Sequence, residues 1–248
     1  MSGLSLAVRY LTIVPVPGRH DHSLERLGRA AGWFPVVGLA IGVVLVAVEQ
    51  ITARLFPPLL AALLVVTAWK LMSGGLHLDG LADCLDSLVG RDPAHRLTIM
   101  RDSRIGAFGV VGLILFLLLE ITAFTELPAS MRWRALLVAP AVGRAMPALV
   151  AGLFRPARVD GQGAAFHAGL GRLSAPVALI AALGIAVAAL GAAGIAVVAV
   201  ASLIAVGFGG FMRARLGGVT GDVLGAGIEA AELTVLLTVS AWVYGRLG

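Results

Sequence analysis

Charge is scarce in this chain: Asp, Glu, Lys and Arg make up 13% of the residues, against 59% hydrophobic, and the mean hydropathy is +0.96. That excludes an ordinary soluble domain and identifies an integral membrane protein. Cysteine is nearly absent as well. Cys84 stands alone, which excludes an intrachain disulfide. With no CxxC or Cys/His partner it is no zinc ligand either, and it reads as a small packing residue. There is no Walker A loop, no GxSxG and no Ser/His/Asp arrangement, which argues against P-loop nucleotide chemistry and serine-type acyl transfer. The N-terminal stretch MSGLSLAVRYLTIVPVPGRH lacks the basic start, long apolar run and small-residue cut site of a cleavable signal peptide. Its prolines end a helix early, so it is expected to lie along the membrane interface. No internal repeat is evident.

What the chain has is apolar runs. They fall near residues 33–55, 57–74, 105–126, 134–154, 173–191, 194–212 and 232–246, each long enough, or nearly so, to cross about 30 Å of hydrocarbon. The expected fold is all-α: a polytopic transmembrane helix bundle of about seven spans with a short interfacial N-terminal helix, forming one domain over 1–248. Breakers sit at the joints, as in FPP at 56–58 and LGAAG at 190–194. Gly38 and Gly42, four apart, allow close helix approach in lipid.

A net charge of +5 would suit nucleic acid only as a basic patch on a water-facing surface. Here the basic residues fall at the ends of apolar runs and report topology, so no nucleic-acid partner is expected. With the N-terminus cytoplasmic, the inner segments hold Arg9, Arg19, Arg26, Arg29, Lys70, Arg91, Arg96, Arg101, Arg104, Arg155, Arg158, Arg172, Arg213 and Arg215. The outer ones hold Arg54, Arg132, Arg134 and Arg246, and Arg144 stays inside span four. The positive-inside rule therefore selects N-in, C-out. The polar loops 74–105, 154–173 and 213–232 then open on one cytoplasmic face, where a site assembled from several of them would form a cleft.

The first of these loops carries GGLHLDGLADCLDSLVGRD, residues 74–92. On a helix, Asp79, Asp83 and Asp86, spaced by four and three, fall on one stripe, where like charges repel. A divalent cation offsets that repulsion, and carboxylate oxygens suit Mg²⁺ or Mn²⁺. The alternative is a solvated helix whose acids face water or pair with Arg101 and Arg104. Zinc fits poorly, because His77 is the only nearby nitrogen ligand. His77 points away from the stripe on a continuous helix and is a candidate substrate contact.

The segment IMRDSRIGAFG, 99–109, presents Arg101 and Arg104 three apart, as an anion clamp suited to phosphate or as positive-inside anchors of span three. In RLGGVTGDVLGAGIEAAE, 215–232, Asp222 and Glu229 are seven apart and share a helical face. Thr220 and Gly221 precede that helix as a cap and anion nest. Metal-binding carboxylates, arginines and a carboxylate able to take a hydroxyl proton are what phosphoryl transfer requires.

GGLHLDGLADCLDSL, IMRDSRIGAFG and GGVTGDVLGAGIE resemble the signature stretches of cobalamin synthase, the adenosylcobinamide-GDP ribazoletransferase family. LTIVPVPG and GWFPVVGLAIG extend the resemblance over nearly the whole chain. It implies a Mg²⁺-dependent enzyme of the bacterial inner membrane, its site facing the cytoplasm, that joins adenosylcobinamide-GDP to α-ribazole or its 5′-phosphate and releases GMP. By the same resemblance Asp79, Asp83 and Asp86 would bind metal. Arg101, Asp102, Ser103 and Arg104 would lie by the diphosphate and GMP, with His77 a contact candidate. Thr220, Asp222 and Glu229 would complete the pocket, Thr220 as a substrate contact, Asp222 and Glu229 as further metal ligands or, with Asp83, as the catalytic carboxylates. The partners are these two substrates and the lipid bilayer; a homo-oligomer is left open.

A CDP-alcohol phosphotransferase of lipid synthesis shares this chemistry. Its pattern places an aspartate three residues before the Asp-Gly pair and an Ala-Arg pair after it, where this chain has Leu76 and Ala82-Asp83. A cation transporter would use Glu49 and Glu120 as intramembrane acids, but both are expected to pair with Arg144 or a polar backbone group.

Overall fold

A backbone in lipid must satisfy its own N–H and C=O groups within one segment, which a helix does. The computed structural model describes residues 2–16 and 24–245, and among them helix is the only regular element. Arg19, Arg246, Pro17 and Gly18, used above for sidedness and for the N-terminal motif, lie outside the described residues.

The order is α1 (Gly3–Leu11), α2 (Leu24–Ala30), a single 3-10 turn (Ala31–Trp33), α3 (Phe34–Leu55), α4 (Pro58–Met72), α5 (Leu76–Ser87), α6 (Pro93–Ile99), α7 (Ala107–Thr125), α8 (Ala129–Leu153), α9 (Gln162–Gly169), α10 (Ser174–Leu190), α11 (Ala193–Leu216) and α12 (Gly221–Tyr244). Five helical stretches are long and apolar enough to cross a membrane. The pairs α4–α5 and α9–α10, bent by 90° and 92°, raise the number to seven. The protein is a multi-pass membrane bundle, as its composition predicts.

Helix α8 is the axis, its 78% buried span packed between α3, α10 and α12. The small residues of α3 make this approach possible: a Cβ on Gly38 would overlap the Pro140 carbonyl, and one on Gly42 that of Leu136. Helix α7 takes the opposite position, with Ile114, Leu115, Leu118 and Leu119 exposed, a face suited to lipid. Short α1 stops before Pro15 and Pro17 and packs on α2 and α3, in keeping with an interfacial element.

The three polar segments do meet at one end. Pro156 and Val219 form an isolated parallel bridge, Arg158 Nη2 donates to Leu97 O at 2.8 Å, and Arg96 Nη1 donates to Arg215 O at 3.3 Å. Gly163 lies so close to the Thr220–Gly221 backbone that a Cβ would come within 2.6 Å of Gly221 N.

One boundary needs correction. The loop expected over 213–232 shrinks to residues 217–220, because α11 continues to Leu216 and α12 begins at Gly221. The glycines and acids there read as a loop; instead Ala226, Gly227, Ile228 and Ala231 bury the small face of a spanning helix, and its two inner glutamates are neutralised by partners on other helices.

Candidate active site

Gly74 and Gly75 adopt φ of +64° and +72°, the left-handed region that a residue without Cβ enters without strain. They turn α4 into α5, so α5 runs across the end of the bundle. Asp79 on its first turn is exposed and Asp83, one turn on, is half-buried. Among the described residues, neither side chain has a hydrogen bond or an ion pair. Gly80 lets α5 lie directly on α12: a Cβ there would sit 2.8 Å from Asp222 O.

Helix α12 starts under Thr220, whose hydroxyl accepts from Val223 N at 3.3 Å and donates to Asp222 Oδ2 at 3.2 Å. The expected cap is present. Asp222 thereby joins the acids of α5: the strongest like charges acting on Asp83 are Asp222, then Asp79 and Asp86, opposed by Arg158. Asp79, Asp83 and Asp222, from two segments, thus lie within electrostatic reach of one another without forming a closed three-carboxylate group, and none has an ion pair among the described residues.

Asp86 is not part of this group. It is buried, and both its oxygens are occupied: Gly106 N donates to Oδ2 at 2.7 Å and Gly109 N to Oδ1 at 2.8 Å. The carboxylate thus caps the positive N-terminus of α7, and Cβ atoms at 106 or 109 would displace it. Expected in the metal stripe, Asp86 here serves as an inter-helix tie.

Glu229, expected to complete the pocket, is engaged elsewhere. It is 1% exposed, two turns below Asp222, and accepts from Lys70 Nζ at 2.6 Å. Lys70, the chain's single lysine, also lies 2.8 Å from Glu120 and 3.3 Å from Glu232, while Arg144 Nη1 meets Glu232 Oε1 at 2.6 Å. Glu120, Glu229 and Glu232 are close enough together to hold a metal ion, but the Lys70 ammonium already fills that position. Lys70 is therefore a core residue, not a positive-inside anchor. Glu120 pairs with it rather than with Arg144, and Glu49 accepts from Gln50 Nε2 at 3.0 Å.

The basic loop is exposed. Arg104 binds Asp102 through Nη2 at 2.6 Å and Nε at 3.0 Å, and its hydrogen bonds hold the Asp102 carboxyl down at about 2. Arg101 Nη2 reaches Asp160 at 3.1 Å, and Ser103 is exposed beside them. Each arginine of the expected clamp thus already has a carboxylate partner at the surface, which a phosphate would have to displace.

Beside the unpaired acids opens a cavity of about 340 Å³, lined among others by Tyr10, His77, Asp79, Arg158, Gln162 and Asp222. Buried His77 forms part of its wall, so the expected contact candidate does face a ligand-sized space. Tyr10, Arg158 and Gln162 were not picked out by motif. The Tyr10 hydroxyl donates to Gln162 Oε1 at 3.2 Å, and burial together with the Asp222 charge pushes its phenol up, keeping it a donor. The only sequence signal for the other two was their place in the polar loop 154–173.

The fold and the site define a polytopic membrane protein with a carboxylate and arginine site at one mouth of its bundle. The chain belongs to the CobS family: the family model for Cobalamin-5-phosphate synthase matches residues 3–240. Among curated relatives, the Adenosylcobinamide-GDP ribazoletransferase of Geotalea daltonii is 38% identical over 95% of this chain and 96% of its own. Proteins of that name from Pseudomonas fluorescens (40%; 94% and 96%) and Brevibacillus brevis (36%; 98% and 99%) match similarly. No solved structure matches.

Proposed function

We propose that this protein joins adenosylcobinamide-GDP to α-ribazole, or its 5′-phosphate, and releases GMP, at a site on the cytoplasmic side of the bacterial inner membrane. Its relatives' shared name supports the activity. The observation that carries the site is the convergence of Asp79 and Asp83 with Asp222, unpaired on two helices that Gly80 brings into contact.

Carboxylates left without an ion pair suit Mg²⁺, which is usually held by one or two carboxylates together with substrate phosphates. Asp79 and Asp83 would hold it, with Asp222 beside them; when bound, the ion supplies positive charge to the diphosphate oxygens. The chain's own groups supply the rest. Arg101 and Arg104 exchange Asp160 and Asp102 for phosphate oxygens, which guanidinium binds in a fork. Arg158, whose Nε has no partner among the described residues, balances charge at the acids. Asp222 or Asp83 takes the proton of the attacking ribose hydroxyl. A new O–P bond forms at the cobinamide-bearing phosphorus, the bond to the GMP oxygen breaks, and GMP leaves.

The test is purified protein in detergent given adenosylcobinamide-GDP and α-ribazole, with and without Mg²⁺, alongside CDP-diacylglycerol plus an alcohol. The expected result is GMP and the joined corrinoid product only from the first pair and only with the metal. Turnover of the lipid pair alone would overturn the reading.

A further inference from the structure

The cavity beside the acids has two unlike ends. Its lip is polar, with Asp79, Asp222, Arg158 and Gln162; its floor is apolar, with Leu11, Phe34, Pro147, Phe166 and Leu224. The rings of Phe34 and Phe166 stand 5.9 Å apart and tilted by 32°. Two lining side chains on the buried wall are polar, His77 and Thr220. The Thr220 hydroxyl is committed to Val223 N and Asp222. His77 is not committed: it is 3% exposed, its Nδ1 has no partner, and neither ring nitrogen is hydrogen-bonded among the described residues. Nδ1 is fully enclosed, which leaves Nε2 as the ring atom able to meet a ligand in the cavity that His77 lines; an unmade hydrogen bond at such a site costs about 1–3 kcal/mol.

From the transferase reading, on which this inference rests, two aromatic groups compete for the space. A guanine edge carries several donors and acceptors, which an apolar floor with one free polar side chain would leave unsatisfied. The base of ribazole is an uncharged flat bicycle bearing two methyl groups, with one unsubstituted ring nitrogen as its only exposed acceptor. That pattern, apolar body and single acceptor, matches the floor and His77. Size agrees. At about 340 Å³ the cavity falls at the lower end of ligand pockets, roughly 300–1,000 Å³, enough for one nucleoside and too small for a corrinoid macrocycle. With the base on the floor, the ribose hydroxyls come to the lip, where Asp79 and Asp222 stand.

We propose that this cavity is the ribazole subsite, with the base against Phe34 and Phe166 and its free ring nitrogen hydrogen-bonded by the His77 imidazole. His77 is thus a determinant of which base is accepted.

The experiment uses the full chain in detergent and titrates two probes by calorimetry: α-ribazole, and the dimethylindole riboside in which a CH replaces the free ring nitrogen. Wild type is expected to prefer α-ribazole by about tenfold, the effect of one buried hydrogen bond and its unsatisfied partner. His77→Leu is expected to bind both probes alike, and His77→Gln, which keeps a donor, to restore part of the preference. Phe166→Ala is expected to weaken both probes equally. GDP binding stays unchanged in all three variants. Equal binding of the two probes by wild type, with no variant needed, would overturn the assignment. So would a preference that survives His77→Leu, or GDP displacing α-ribazole and weakening with His77→Leu. GMP release by wild type alongside any of these would show that only the subsite is wrong; absence of both GMP release and ribazole binding would remove the transferase reading together with it.

Discussion

Two groups of acids lie within a few helical turns of each other and are treated in opposite ways. Glu120, Glu229 and Glu232 are fully buried and share Lys70 and Arg144 at 2.6–3.3 Å. Asp79, Asp83 and Asp222 are wetter, closer to the loops, and lack any ion pair among the described residues. Breaking a buried pair is costly because it strands a charge, so the inner group ties α4, α7, α8 and α12 together. The outer group does no such tying. The glutamates are thus committed to structure, while the aspartates, unpaired beside a cavity, are left available for the chemistry proposed above.

The sharpest way to break that contrast is Asp83→Asn. Turnover should fall on the order of 10³-fold, the loss usual for one transition-state electrostatic contact, while the apo protein melts at the same temperature or slightly higher, since like charges no longer repel. Kinetics paired with a detergent melting curve check both halves. Lys70→Met should do the reverse and cost about 3–5 kcal/mol of stability. Adding Glu120→Gln and Glu229→Gln should recover part of it, seen as the monodisperse fraction after heating. An inner group that tolerated loss of its lysine would not be structural.

Asp86→Asn tests the boundary between the groups. It should cost about 1–2 kcal/mol as a weakened helix cap, yet leave the Mg²⁺ concentration for half-maximal rate unchanged; a raised requirement would return Asp86 to the metal. The smallest effect is expected of Arg104→Lys, a loss of about three- to tenfold in affinity for the GDP-linked substrate, because lysine cannot reproduce the fork. With Asp102 held at about 2, its pair with Arg104 persists above that pH and is lost only as pH falls through it, so a decline in rate near neutrality would come from another group.

Most of the fold could be read from the chain. Apolar runs, FPP, LGAAG and the Gly38 and Gly42 pair announce spans and joints because each acts within a few residues of itself. The site was half legible. Asp79, Asp83, Asp222 and the Thr220 cap follow from local spacing. Asp86 and Glu229 do not, since spacing fixes the face a residue shares with its helical neighbours and says nothing of what packs on that face. Lys70 looked like an end-of-span anchor because its partners Glu120, Glu229 and Glu232 all lie on helices far along the chain. Arg158 and Gln162 belong to no motif, and their role depends on a loop crossing beneath α12.

The right-angle corner at Gly74 and Gly75 has a further result. Because α5 leaves the line of α4 by 90°, its aspartates stand beside the loops at the end of the bundle and not inside a continuous spanning helix. Under the proposed function, that corner spares a bulky polar substrate any passage between the helices.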